Sequence, residues 1–140
     1  LKSGFALDPR LEADTIALGN TPLSRVLLMN DARFPWVILV PRREGLAELA
    51  DLAPHERAAL MEETVAVSAA LSKRRGVDKI NVGALGNIVR QLHVHIVGRS
   101  PDDVAWPHPV WGFGARRPYD RAAAENISRE LAEALSRILT

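Results

Sequence analysis

The sequence predicts an α+β domain built on an antiparallel sheet. Three observations carry this. Short apolar, β-branched runs such as Trp36-Val37-Ile38-Leu39-Val40 read as buried strands. Two longer stretches place apolar side chains at helical spacing: Leu60, Thr64, Val67 and Leu71, then Ala124, Ile127, Leu131, Leu135 and Ile138. Strands and helices do not alternate as a parallel sheet requires.

The elements follow in order. Residues 14–18 and 25–30 read as short strands, and Asn30 to Pro35 punctuates. The strand 36–40 is stopped by Pro41, and Leu46 to Leu52 forms a short helical turn. Pro54 suits a first helical position, and Glu56, Glu62 and Glu63 favour the N-terminal half. Lys73-Arg74-Arg75 followed by Gly76 reads as the stop, so the helix is expected over 54–75. Residues 79–83 and 90–99 are strands around the turn Ala84-Leu85-Gly86-Asn87. Residues 100–118 hold four of the nine prolines and two of the three tryptophans, an ordered but irregular segment. An amphipathic helix follows Tyr119.

A chain of 140 residues suits one domain, taken here as 1–140. Its 47% hydrophobic and 25% charged content is that of a globular domain. The absence of cysteine excludes disulfides, thiolate catalysis and cysteine metal sites, and it fits a cytoplasmic setting. No apolar run is long enough for a membrane helix. The start, Leu1-Lys2-Ser3-Gly4-Phe5, has no initiator Met and no signal-peptide core, and reads as a trimmed or engineered end. A net charge of +1 gives no push toward nucleic acid or membrane. The average is uneven: net −3 over 1–70, +5 over 71–99 and −1 over 100–140. The cationic stretch reads either as a solvated helix-ending cluster or as a local field for an anionic ligand.

The chemistry-bearing stretch is Gln91-Leu92-His93-Val94-His95-Ile96-Val97. At period two, Leu92, Val94 and Ile96 share an apolar face, and Gln91, His93 and His95 share the other. Three readings compete. The first is a solvent-facing sheet side that happens to collect His. The second is a metal site with His55 or His108 as third ligand. The third is phosphoryl chemistry, with a neutral imidazole as nucleophile and the turn Gly83 to Asn87 offering N–H groups to phosphate.

Gln91 to Gly98, preceded by Asn81-x-Gly83 and Gly86-Asn87, resembles the histidine triad (HIT) signature, His-φ-His-φ-His-φ-φ with φ apolar. Leu39-Val-Pro-Arg-Arg43 and the order of elements extend the resemblance from about Phe5 to Tyr119. It is nearest to the bacterial branch described as diadenosine tetraphosphate hydrolase-like. The resemblance implies a sheet of about five strands with one long helix and a C-terminal helix, commonly paired as a homodimer. It implies a small-molecule nucleotide as ligand, attacked at its α-phosphate through a nucleotidyl-histidine intermediate. His93 matches the nucleophile and His95 the phosphate-contacting histidine. Gln91 stands where the first histidine usually stands. Asn81, Gly86 and Asn87 match the phosphate side, and Asn30 or Asp31 the ribose side. No metal cofactor is implied for the covalent step; Mg²⁺ belongs, if anywhere, with the substrate. Two departures stand out. Gln91 cannot shuttle a proton at pH 7, and Ile88 replaces a hydroxyl residue common in relatives. They motivate an alternative: a nucleotide-binding module with little catalysis.

The remaining residues have plainer readings. Trp106, His108 and Trp111 read as core or interface cover first and as an aromatic lid over a nucleotide second, Trp106 being the lid candidate. Trp36 reads as core or interface, His55 as surface, and Arg90 and Arg99 as solvated strand ends first and phosphate contacts second.

Overall fold

Each expected strand region contributes to one antiparallel sheet in a computed structural model that describes residues 4–140. The trimmed start read at residues 1–3 lies outside the described residues. The strands are β1 (Thr15–Asn20), β2 (Ser24–Met29), β3 (Trp36–Pro41), β4 (Lys79–Gly83) and β5 (Val94–Arg99). Their order across the sheet is β1-β2-β3-β5-β4, so β5 is internal and β4 forms an edge. The helices are α1 (Pro9–Asp14), α2 (Pro54–Ser72) and α3 (Arg121–Ala134), with a short 3-10 turn at Leu49–Asp51.

Both faces of the sheet are covered, and the period-two alternation sorts the side chains between them. Val26, Leu28, Val37, Leu39, Val94 and Ile96 pack under α2 and α3 against Leu60, Val67, Leu71, Ile127 and Leu131. Leu27, Trp36, Ile38, Val40 and Val97 face a second core closed by Leu11 of α1 and by Phe34, Ala105 and Val110. The Pro/Trp segment 100–118 therefore forms a layer of its own. This corrects the solvent-facing reading of the histidine row, since His93 and His95 are both buried.

Three boundaries differ from expectation, each for a local reason. α2 ends at Ser72 rather than residue 75, and Gly76 turns the chain with φ +86°. Lys73, Arg74 and Arg75 thus lie beyond the last turn; Arg74 pairs instead with Glu130 of α3 at 3.5 Å. β5 begins at Val94 rather than residue 90, because the Leu92 N–H leaves the ladder for the carbonyl of Leu46, 2.9 Å away. α1 is additional. Asp8 caps it by accepting the Arg10 N–H at 2.8 Å, and Pro9 occupies its start, so Asp8-Pro9 was the sequence signal for it.

The cationic stretch 71–99 does not converge on the histidines. Lys79 lies opposite Arg99 at the end of β5 farthest from His93. Arg99, expected as a solvated strand end, is buried at 2% exposure and binds both Asp103 carboxylate oxygens, at 2.8 and 3.1 Å. It also donates to Asn81 Oδ1 and the His108 carbonyl, both at 2.8 Å, fastening segment 100–108 to the sheet.

Candidate active site

Two imidazoles define the site, held in fixed and different tautomers. His93 Nδ1 lies 2.6 Å from the main-chain oxygen of Gln91. A carbonyl only accepts, so Nδ1 carries the proton and the Nε2 lone pair is free. His95 Nδ1 accepts the indole N–H of Trp36 at 3.0 Å, which leaves the proton of His95 on Nε2. The two rings meet edge to face with centroids 4.7 Å apart. One ring offers a lone pair and its neighbour an N–H donor.

Tryptophans enforce this arrangement. Trp36 and Trp111 lie 5.7 and 5.6 Å from His95, centroid to centroid. Trp111 reaches His95 because Gly83 stands opposite His95 on β4: a Cβ there would come within 3.1 Å of the Trp111 ring. Burial in this aromatic cage, and secondarily the charge of His93, push the His95 pKa down to about 3. His95 is therefore neutral at pH 5 and above. The unfolded chain takes up this proton near pH 6.5 and the folded chain does not. The resulting contribution is complete above pH 6.5 and is lost as pH falls toward 3. Unfolding free energy attributable to His95 is expected to drop by about 2 kcal/mol between pH 7 and pH 5. Urea denaturation at stepped pH checks this, and His95→Asn should flatten the slope.

A hollow of about 320 Å³ opens beside His93, between residues 47–50 and the glycine turn at Ala84, Leu85 and Gly86. Gly86, with φ +73°, supplies the left-handed residue that this turn requires. A second hollow, of about 340 Å³, lies on the Trp36 face of the sheet and is lined by Met29, Asp31, Trp36 and Phe113. A larger one, about 520 Å³, sits at the far end of β5 around Gly98, Arg74 and Tyr119, away from the histidines.

The expected site residues fall into two groups. His93, Gly86 and Gln91 border the first hollow, and His95 packs against His93. Asn81 shares their face of the sheet, but its Oδ1 is taken by Arg99. Asn87 is exposed on the turn. Gln91 does not present its amide to the histidine row: its Oε1 accepts the Asp8 N–H and its Nε2 donates to the Ala6 carbonyl, each at 2.8 Å. Asn30 Oδ1 accepts the Tyr119 N–H. Asp31, buried, accepts from the Arg33 guanidinium and from the Arg33 and Arg117 N–H groups. Burial raises its pKa, but these hydrogen bonds outweigh it and hold the carboxyl below the ordinary value. Trp106 stacks over Arg99 at 5.7 Å, apart from the histidines. Trp36 and Trp111 take the aromatic role instead; neighbouring prolines and a β-branched run made both look like core. Among the described residues no three of His, Cys, Asp and Glu gather as a metal would need. His95 Nδ1, already an acceptor for Trp36, is closed to a metal.

The model of the HIT domain family matches residues 10–102. Solved structures agree over nearly the whole chain. A histidine triad protein of Sinorhizobium meliloti is 48% identical, with a TM-score of 0.91 over 94% of this chain and 98% of that one. A histidine triad protein of Marinobacter aquaeolei is 43% identical, with a TM-score of 0.93 over 96% and 98%. One of Bradyrhizobium japonicum is 44% identical, with a TM-score of 0.88 over 97% and 98%. No curated protein matches. The chain belongs to the HIT domain family.

Proposed function

We propose that this single-domain protein is a nucleotidyl hydrolase or transferase in which His93 Nε2 attacks the α-phosphorus of a nucleotide. The observation that carries this is the tautomer pair, with a free lone pair on His93 and an N–H on His95 one ring away. In the first step the Nε2–P bond forms as the bond from phosphorus to the leaving group breaks. In the second, a water oxygen attacks the same phosphorus, the N–P bond breaks, and a nucleoside 5′-monophosphate leaves. The water's proton passes to solvent. His95 Nε2–H and the N–H groups around Gly86 would hold the phosphoryl oxygens, with Asn81 and Asn87 at the margin. We assign the nucleoside to the hollow lined by Trp36 and Asp31, with Asn30 next to Asp31 in the chain.

The same geometry favours one leaving-group class. Position 91 holds no imidazole, and neutral His95 is a poor acid. A polyphosphate departs as an anion without a proton, whereas an amine must be protonated first. A phosphoanhydride, such as a dinucleoside polyphosphate, is therefore the preferred substrate over a phosphoramidate. The test is turnover of both substrate types by purified protein, with Mg²⁺ varied, and acid-quench mass spectrometry for a nucleotidyl group on His93. A phosphoramidate cleaved faster would reverse the substrate order; nucleotide binding without product would instead favour a binding module.

We further propose a homodimer, supported by the β4 edge, whose outer side pairs with no strand of the described residues. Val82 on that strand and Met61 and Val65 on α2 are each more than half exposed. An apolar hollow of about 320 Å³ lies between them. A second copy of β4 would satisfy the edge and cover this patch. Met61→Glu with Val82→Lys is expected to convert a dimer to a monomer in sedimentation velocity. A wild type that sediments as a monomer sinks this assignment. No helix among the described residues is long and apolar enough to cross a membrane, and nothing here favours nucleic acid as a ligand; we place the protein in the cytoplasm.

A further inference from the structure

The Gln91 side chain is the one member of the histidine row that points elsewhere, and what it holds has a consequence for His93. Residues 90–93 lie outside the β-ladder, which begins at Val94. The sheet therefore does not fix the peptide whose carbonyl orients the nucleophile. The N–H of that same peptide, on Leu92, is held by the Leu46 carbonyl at 2.9 Å, and the Gln91 amide secures its other flank. The amide is pinned at both ends, accepting from Asp8 N–H and donating to the Ala6 carbonyl, 2.8 Å each. That two-point bond is the amide's full match to a strand-like backbone, and an imidazole cannot reproduce it with the same spacing.

The clamped segment is itself tied to the glycine turn. Arg10 donates through NH1 to the Ile88 carbonyl at 3.0 Å, while its Nε and NH2 grip the Asp8 carboxylate at 3.3 and 3.2 Å. Hydrogen bonds from Arg10 hold the Asp8 carboxyl below its ordinary pKa.

We propose that Gln91 is a positioning residue: its side chain ties residues 6–8 to the segment before β5, and that contact, together with the Leu92–Leu46 bond, holds the carbonyl that keeps His93 in its nucleophilic tautomer. The position that carries the first imidazole in the family's signature has here become a clamp on the chain's own N-terminal segment. The inference rests on His93 as nucleophile, but its first readouts do not require turnover.

The test uses the full chain with Gln91→Leu, which keeps volume and removes both bonds, and Gln91→Glu, which keeps the acceptor and removes the donor. In ¹⁵N-imidazole NMR near pH 8 the wild type is expected to show His93 protonated on Nδ1. Gln91→Leu should show a tautomer mixture, and the Asp8 amide should exchange with solvent at least about tenfold faster. Gln91→Glu should fall between. On a substrate the wild type turns over, kcat of Gln91→Leu should fall about a hundredfold with KM little changed, since misplacing a nucleophile affects chemistry and not binding. A variant that keeps the pure Nδ1–H tautomer, or that leaves Asp8 exchange unchanged, overturns the proposal. A role in stability alone would lower Tm without mixing the tautomers, and that result overturns it too. Absence of wild-type turnover would count against the proposed function, with NMR and exchange still deciding this one.

Discussion

Replacing His93 with alanine is expected to lower turnover by roughly 10⁴-fold or more, because a two-step displacement has no substitute for its nucleophile. The protein should still fold. His93 sits at the mouth of β5, outside the ladder, and its neighbours Leu92 and Val94 carry the packing. Nucleotide should still bind, since the second hollow and the glycine turn are untouched. His93→Asn provides a second variant with a polar group of similar size. The checks are steady-state turnover, circular dichroism and calorimetric titration with a nucleoside monophosphate. The adduct seen on quenching should vanish in both variants. Turnover unchanged in either one would end the covalent mechanism, whatever the substrate.

Arg99→Met is expected to be the most damaging substitution for stability. The guanidinium is buried and makes four hydrogen bonds: two to Asp103, one to Asn81 and one to the His108 carbonyl. Its ring contacts with Phe34 and Trp106, at 5.6 and 5.7 Å, complete the shell. Removing it leaves a buried carboxylate without its counter-charge, a loss of about 3–5 kcal/mol. For a domain of this length that corresponds to a Tm lower by roughly 10 °C or more. The pH dependence gives a second check. Burial raises the Asp103 pKa, but bonds from Arg99 and from backbone N–H groups bring it below 3.8. The pair therefore contributes fully above the unfolded carboxylate value and is lost as pH falls through the lower folded one. The gap between wild type and Arg99→Met should persist at pH 5 and close only in stronger acid. Thermal melts at pH 7, 5 and 3 measure this; a gap that closes by pH 5 contradicts the assignment.

The strands and the two long helices were legible because each has a strong local signal. The run 36–40 is apolar throughout, and α3 repeats apolar residues on one face. Boundaries were less legible where a long-range bond decides them. Nothing local says that Leu92 will bond to Leu46, so residues 90–93 looked like strand. α1 is six residues with one buried side chain, Leu11, too short for a periodic signal.

At the site, the sequence alone determined the histidines, the glycine turn and the sheet that carries them. Period-two spacing is a property of the chain, and it placed His93 and His95 on one face wherever the strand would pack. Only the tertiary structure decided what surrounds that face. Burial of His95 depends on Trp36 from β3 and Trp111 from the irregular segment. Within the cationic stretch, Arg74 finds Glu130, 56 positions along the chain, and Arg99 finds Asn81, 18 positions back. The role of Gln91 depends on residues 6–8, more than eighty positions away. Hydrogen bonds and burial act between atoms close in space, and a sequence lists only neighbours along the chain.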